Sequence, residues 1–154
     1  SLSTIYTPNA ADTLAGSVSL RLVSTNALVP CAQVADTIVV TILPKPAVDA
    51  GADLTICEGD DVNLSGNLYG SATAAIWTSS SGNNGGFGNQ ASLTTTYAPS
   101  ATDISNGTVS LTLTTTDAAS PCSEVFETII VTINPLPEVN AGGDQTVCAG
   151  DIVS

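Results

Sequence analysis

Four cysteines and 14 carboxylates are the side chains of this 154-residue sequence whose types could do chemistry, and His is absent. Thiols can ligate zinc, exchange electrons or close disulfides. Carboxylates can act in acid–base pairs or hold calcium. The missing His removes triads, imidazole bases and His-ligated metals. No C-x-x-C occurs, and a zinc site would need widely spaced Cys without His. The Gly-rich stretch at 82–88 contains Gly85-Gly86-Phe87-Gly88 without the Lys-Ser/Thr of a phosphate loop. It reads as a hairpin tip; the sharper alternative is a sugar- or protein-contacting loop with Phe87 and Tyr69 as exposed aromatics. Arg21 and Lys45 are the two basic residues against those 14 acids, a formal charge of −12. Two cations cannot neutralise a row of phosphates or hold an anionic lipid surface. Nucleic-acid partners are therefore not expected. Neither is membrane insertion, because no run of about 20 apolar residues exists.

The elements that position these residues come in a repeat. TIVVTILPKP at 37–46 returns as TIIVTINPLP at 128–137, and DAGADLTICEGD at 49–60 returns as NAGGDQTVCAGD at 140–151. The offset is constant at 91 (122 − 31, 148 − 57, 97 − 6). Residues 1–63 align on 92–154 without a gap, with 33 identities in 63. Such a period marks a repeat architecture. It divides the chain into the C-terminal half of one unit (1–46), a complete unit (47–137) and the first strand or strands of a third (138–154). With Ser rather than Met at its start, the chain reads as a mature or excised piece of a longer parent.

Each unit reads as strands. Val109, Leu111 and Leu113 alternate with Ser110, Thr112 and Thr114, as Val18, Leu20 and Leu22 alternate with their neighbours. Period-two alternation is a half-buried strand with a Ser/Thr outer face. The strand at 124–134 completes a C-terminal hairpin. Before it come a first strand at 48–56 kinked at Ala50-Gly51-Ala52, strands at 62–64, around Trp77 and at 93–97, and a connection at 99–107 that Asp103 braces with one helical turn. Seven short strands in roughly 90 residues make two packed sheets. The expected fold is all-β, as tandem immunoglobulin-like antiparallel β-sandwiches, with Trp77 and Tyr97 as core anchors. Pro44-Lys45-Pro46 and Pro135-Leu136-Pro137 follow the last strand directly; prolines fix φ and make these linkers stiff.

The stretches DAGADLTICEGDDVNLSG, AIWTSSSGNNGGFGNQASLTTTYAPSATDISNGTVSLTLTTT and ETIIVTINPLP resemble the immunoglobulin-like (PKD-like) tandem repeats of very large Bacteroidota surface adhesins. These are the gliding-motility adhesins and their relatives, exported by type IX secretion. The resemblance covers the whole chain. It implies an extracellular location on the bacterial cell surface. Proteins of that group carry O-glycans at Asp-Ser/Thr-apolar triplets, and Asp12-Thr13-Leu14 and Asp36-Thr37-Ile38 fit, which makes Thr13 and Thr37 candidates.

An extracellular chain favours disulfides. Within the complete unit the obvious pair is Cys57–Cys122, with Cys31 and Cys148 taking partners outside the fragment. Against it, the first turn and last hairpin turn of such a sandwich lie at opposite ends. Staples between neighbouring units, or free thiols, are the alternatives. Acidic residues gather near the junctions, where oxygens can hold calcium between domains. Asp53, Asp60 and Asp144 are the candidate ligands because they recur with the period. The competing reading is a solvated, self-repelling surface, supported by the change of Asp49 to Asn140 and of Glu58 to Ala149. No other cofactor is expected.

A catalytic site repeated every 91 residues does not suit a rod, so an enzyme is not expected. The leading expectation is a structural stalk or filament segment that projects a binding tip and bears load in adhesion or gliding. Its partners are the neighbouring repeats. The alternative is a module that binds surface polysaccharide or another protein by avidity.

Overall fold

The computed structural model describes residues 3–25, 28–117, 120–150 and 152. In chain order the elements are α1 (Ala10–Ala15), β1 (Ser17–Val23), β2 (Ala35–Thr41), β3 (Ala47–Asp49), β4 (Leu54–Cys57), β5 (Val62–Ser65), β6 (Asn67–Tyr69) and β7 (Ala75–Ser79). A 3-10 turn (Asn84–Gly86), β8 (Thr94–Tyr97), α2 (Ala101–Asn106), β9 (Thr108–Thr115) and β10 (Phe126–Asn134) follow. The fold is mostly β, with several antiparallel pairings. A four-stranded sheet has the order β4-β10-β9-β7, and two ladders, β3-β6 and β5-β8, accompany it. Every pairing is antiparallel except β10 with β4, which is parallel with Val131 opposite Leu54 and Asn134 opposite Cys57.

The alternation read from the sequence is the burial pattern. On β9, Val109, Leu111, Leu113 and Thr115 are buried while the intervening Ser and Thr are half-buried. On β10, Ile129, Val131 and Ile133 are buried and Ile130 faces outward. The outer faces hold together by polar contacts such as Thr112 Oγ1 to Thr128 Oγ1 at 2.8 Å. Val62, Leu64, Ala75, Trp77, Phe87 and Tyr97 join the inward residues of β9 and β10 in one hydrophobic cluster. Trp77 and Tyr97 are both 0% exposed. Gly66 makes room at the centre: a Cβ there would stand 2.4 Å from Leu113 Cδ2 and 3.4 Å from the Trp77 ring.

The kink in the first strand separates β3 from β4, with Gly51 at φ 89°. A kinked strand leaves backbone N–H groups without ladder partners, and buried ones must be paired. Carboxylates do this at Gly51 and Ala50 of the kink, and a third pairs Ile130 on the facing β10. Asp49 Oδ1 accepts from Gly51 N–H (2.9 Å), Glu127 Oε2 from Ala50 N–H (2.7 Å), and Asp53 Oδ1 from Ile130 N–H (2.8 Å). β6 adds to the strands expected, since three residues carry no legible alternation.

The 91-residue period is also a structural one. Adding 91 to both members turns the β1–β2 pairs Val18↔Val40 and Leu20↔Ile38 into the β9–β10 pairs Val109↔Val131 and Leu111↔Ile129. α1 and α2 each begin with a capping box, Asn9 with Asp12 and Ser100 with Asp103. Each ends on a left-handed glycine, Gly16 and Gly107. The Asp49-to-Asn140 change keeps its bond, since Asn140 Oδ1 accepts from Gly142 N–H at 2.8 Å. Only a carbonyl-like oxygen is needed there, so either residue serves. No strand forms among the described residues after Asn134, where 138–154 was expected to start the next unit.

Candidate functional site

The contacts that join the linker and the first strand to the rest of the chain lie along β10. The chain enters the complete unit at Lys45-Pro46, and Pro46 is buried. Gly70 permits the contact: its φ is +68°, and a Cβ there would sit 1.9 Å from the Lys45 carbonyl oxygen. No other residue combines that conformation with that approach. A groove of about 350 Å³ lined by Lys45, Pro46, Ala47, Val48, Val125 and Phe126 sets the linker beside the start of β10. From there residues 47–57 follow β10, through the Ala50–Glu127 and Asp53–Ile130 bonds and then the β4–β10 ladder. β10 ends at Asn134, whose carbonyl accepts from Glu58 N–H at 2.8 Å, and Pro135 follows. Of the four linker prolines, Pro46 is thus packed against the unit, while Pro44, Pro135 and Pro137 are exposed.

A second constellation holds α2 to the core. Asp103 is 1% exposed. Its Oδ2 accepts from the Tyr97 hydroxyl (2.8 Å), Ser100 N–H (2.8 Å) and Ser100 Oγ (2.7 Å). Burial pushes this carboxyl up, but the hydrogen bonds from Ser100, Ser81 and Tyr97 outweigh burial and hold it below the usual aspartate value. The same pair stands in the first unit, where the Tyr6 hydroxyl donates to Asp12 at 2.6 Å, raising the tyrosine and lowering the aspartate. The sequence signal was Y-x-P-x-x-x-D, repeated at both places. Asp117 is likewise lowered, chiefly by the Thr73 hydroxyl it accepts from.

The cysteines do not meet within the unit. Cys31, Cys57 and Cys122 are free thiols. Cys57 is opposite Asn134 at the end of β10, whereas Cys122 precedes Phe126, its first residue. Nine strand residues separate those ends, which is about 26 Å at ~3.3 Å per residue. Val125 is fixed by its bonds to Thr115 (2.9 and 3.0 Å). The remaining residues to Cys122 span at most about 11 Å, and a disulfide needs Cα atoms within about 7 Å. The expected Cys57–Cys122 pair is corrected on that ground: parallel pairing of β4 with β10 carries Cys57 to the far pole. Maleimide labelling of the non-reduced chain is expected to modify both cysteines on one molecule. A crosslinked Cys57–Cys122 peptide in the digest would reverse this.

Phe87 is 8% exposed and packs on Tyr97, with ring centroids 4.7 Å apart. The reading of Phe87 as a surface aromatic is therefore corrected: the 3-10 turn folds the loop inward, and Gly86 N–H and carbonyl bonds to Asn83 and Ala98 hold it there. Tyr69 is exposed at 54%. Among the described residues, Asp53, Asp60 and Asp144 do not come together, and no three Asp, Glu or Cys side chains are grouped to hold an ion. Asp53 faces the β10 backbone instead. Thr13 is exposed on α1 with its hydroxyl donating to the Asn9 carbonyl at 3.0 Å, and Thr37 is exposed on β2.

No protein-family model matches the chain, and no curated protein matches it. No helix among the described residues is long and apolar enough to cross a membrane.

Proposed function

We propose that this chain is a load-bearing repeat segment, a stalk or filament of a large extracellular adhesin on a bacterial cell surface. In this reading its units are tandem immunoglobulin-like sandwiches. The resemblance to gliding-motility adhesin repeats exported by type IX secretion motivates the reading. One observation carries it: the first and last parts of the complete unit lie side by side and parallel, β4 against β10. Tension enters at Ala47 and leaves at Asn134, at opposite ends of this pair. It acts along the strands, so the ladder bonds and the Glu127 and Asp53 bonds are loaded together rather than one at a time. A linker packed against Gly70 delivers that force without slack. The acidic, Ser/Thr-faced exterior keeps neighbouring rods apart. With Cys57 and Cys122 at opposite poles, staples between successive units suit the same rod.

The test is single-molecule stretching of this chain with two handle placements. Handles at Ala47 and Asn134 shear the parallel pair. Handles at Thr108 and Asn134 peel β9 from β10, since Thr108 lies opposite Thr132. The shear geometry is expected to need several-fold more force, with a length gain of about 30 nm at ~3.5 Å per residue. Equal forces in the two geometries would remove the load-bearing role.

A further inference from the structure

The strands opposite the four-stranded sheet turn an unengaged polar face to solvent. β5 and β6 run almost continuously, parted only by Gly66. Val62 and Leu64 are buried and Leu68 packs against the core, so Asn63, Ser65, Asn67 and Tyr69 point outward. This row is about 20 Å long at ~3.3 Å per residue. β8 widens it, with Thr96 opposite Asn63 and Thr94 opposite Ser65, both exposed. Tyr69 stands at the end of the row, 54% exposed. The side chains of Asn63, Ser65, Asn67, Thr94 and Thr96 have no hydrogen-bond partner among the described residues. The four-stranded sheet differs, since its outward Thr112 and Thr128 bond each other. In a chain of formal charge −12 the patch is uncharged. Asp49, opposite Asn67, and Asp61, before Val62, put carboxylates at its margins. A hollow of about 180 Å³ opens beside the row at the strand kink, and Gly51, Ala52, Asn63 and Ser65 help to line it.

The chemistry of the face selects its occupant. Marginal acids and the net charge repel a polyanion. A protein partner would want an aromatic or apolar anchor at the centre of its footprint, and the aromatic of this face stands at one end. Enclosed small-molecule sites hold about 300–1,000 Å³, more than the hollow offers. Amides and hydroxyls both donate and accept, as sugar hydroxyls do. Exchanging surface water for such hydroxyls replaces each hydrogen bond in kind. The Tyr69 ring offers an apolar plate with a polar tip to the C–H face of a sugar ring.

We propose that Asn63, Ser65, Asn67, Tyr69, Thr94 and Thr96 form a binding face for an uncharged polysaccharide strand laid along β5 and β6. Tyr69 stacks on one ring, and the amides and hydroxyls bond hydroxyls of the rings that follow. The hollow seats a substituent beside Asn63. The face belongs to this unit and not to the repeat pattern, because Thr96 is Ile5 and Thr94 is Ser3 one period earlier. Its binding does not depend on whether the rod bears load.

The experiment titrates the isotope-labelled 154-residue chain with hexasaccharides of glucose, mannose and xylose, and with hexagalacturonate as the anionic probe. NMR shifts are read at backbone amides and at the Asn63 and Asn67 side-chain amides. At least one neutral hexasaccharide is expected to shift residues 63–69 and 94–96 and leave β9 and β10 in place. Tyr69→Ala is expected to weaken that binding about tenfold, through the lost stacking surface. Asn67→Ala is expected to weaken it about fivefold, through the lost hydrogen bonds. Thr112→Ala, on the other sheet, is expected to bind as the parent does. Unmoved β9 and β10 amides in each variant show that the fold is kept. Silence toward all three neutral probes overturns the proposal, as does binding of hexagalacturonate with equal affinity. Parent-like affinity in both Tyr69→Ala and Asn67→Ala overturns it too. Shifts of the same residues that grow with protein concentration alone would assign the face to a second copy and overturn it likewise.

Discussion

Trp77→Ala is expected to cost about 4 kcal/mol of folding stability, the usual range for emptying a fully buried aromatic site. The ring is 0% exposed at the centre of the cluster, and Gly66 has no side chain with which to refill the space. The surrounding strands cannot collapse inward, since β7, β9 and β10 are held in one ladder. A small domain has about 5–15 kcal/mol in total. The variant therefore sits near its unfolding threshold, and urea unfolding followed by circular dichroism should show a midpoint lowered by roughly a third or more. Trp77→Phe is expected to cost less than half as much. The indole Nε1 has no hydrogen-bond partner among the described residues, so Phe keeps most of the apolar volume without breaking a bond seen there. A Trp77→Ala midpoint within experimental error of the parent would show that the centre of the core lies elsewhere.

Asp103→Ala is expected to cost about 3 kcal/mol at pH 7. About 1 of these is the helix cap and about 2 the buried hydroxyl of Tyr97 left without its charged acceptor. The change with pH isolates the carboxylate. Asp103 titrates below its ordinary value in the folded chain, whereas in the unfolded chain it titrates near 3.9. Its contribution is therefore complete above about pH 4 and is lost as pH falls through the folded value. Asp103→Asn removes that part, so its stability is expected to fall less steeply than the parent's between about pH 5 and 2. Asp12 and Asp117, also lowered, titrate in both proteins and cancel in the difference. Parallel stability curves for parent and Asp103→Asn would show that Asp103 is not the titrating group.

Much of this was legible in the residues because it is local. Alternation along 108–115 and 126–134 gives the inward and outward faces of β9 and β10 directly. Asp103 in the 99–107 connection reads as a helix brace at once, since such a cap closes within a few positions. Phe87 was not legible. Its glycine and asparagine neighbours look like an exposed tip, and only the turn that carries the ring onto Tyr97 shows otherwise. β6 was hidden because Asn67-Leu68-Tyr69 is strand only by pairing with β3. The acids of the first strand looked like junction ligands. Asp53 instead accepts from Ile130 N–H, and Glu127 on β10 accepts from Ala50 N–H, contacts that each span 77 residues, a separation that no local pattern encodes.

By itself, the sequence determined the period, the strand faces and the proline joints. Each of these depends on residue type and on neighbours a few positions away. The tertiary structure alone decided that β4 lies parallel to β10. That pairing joins segments far apart in the chain, and apolar alternation is the same for either strand direction. From it follow the separation of Cys57 from Cys122 and the shear geometry between Ala47 and Asn134. The burial of Asp103 depends equally on long-range packing, because a carboxylate is tolerated inside only where Tyr97 and Ser100 converge on it.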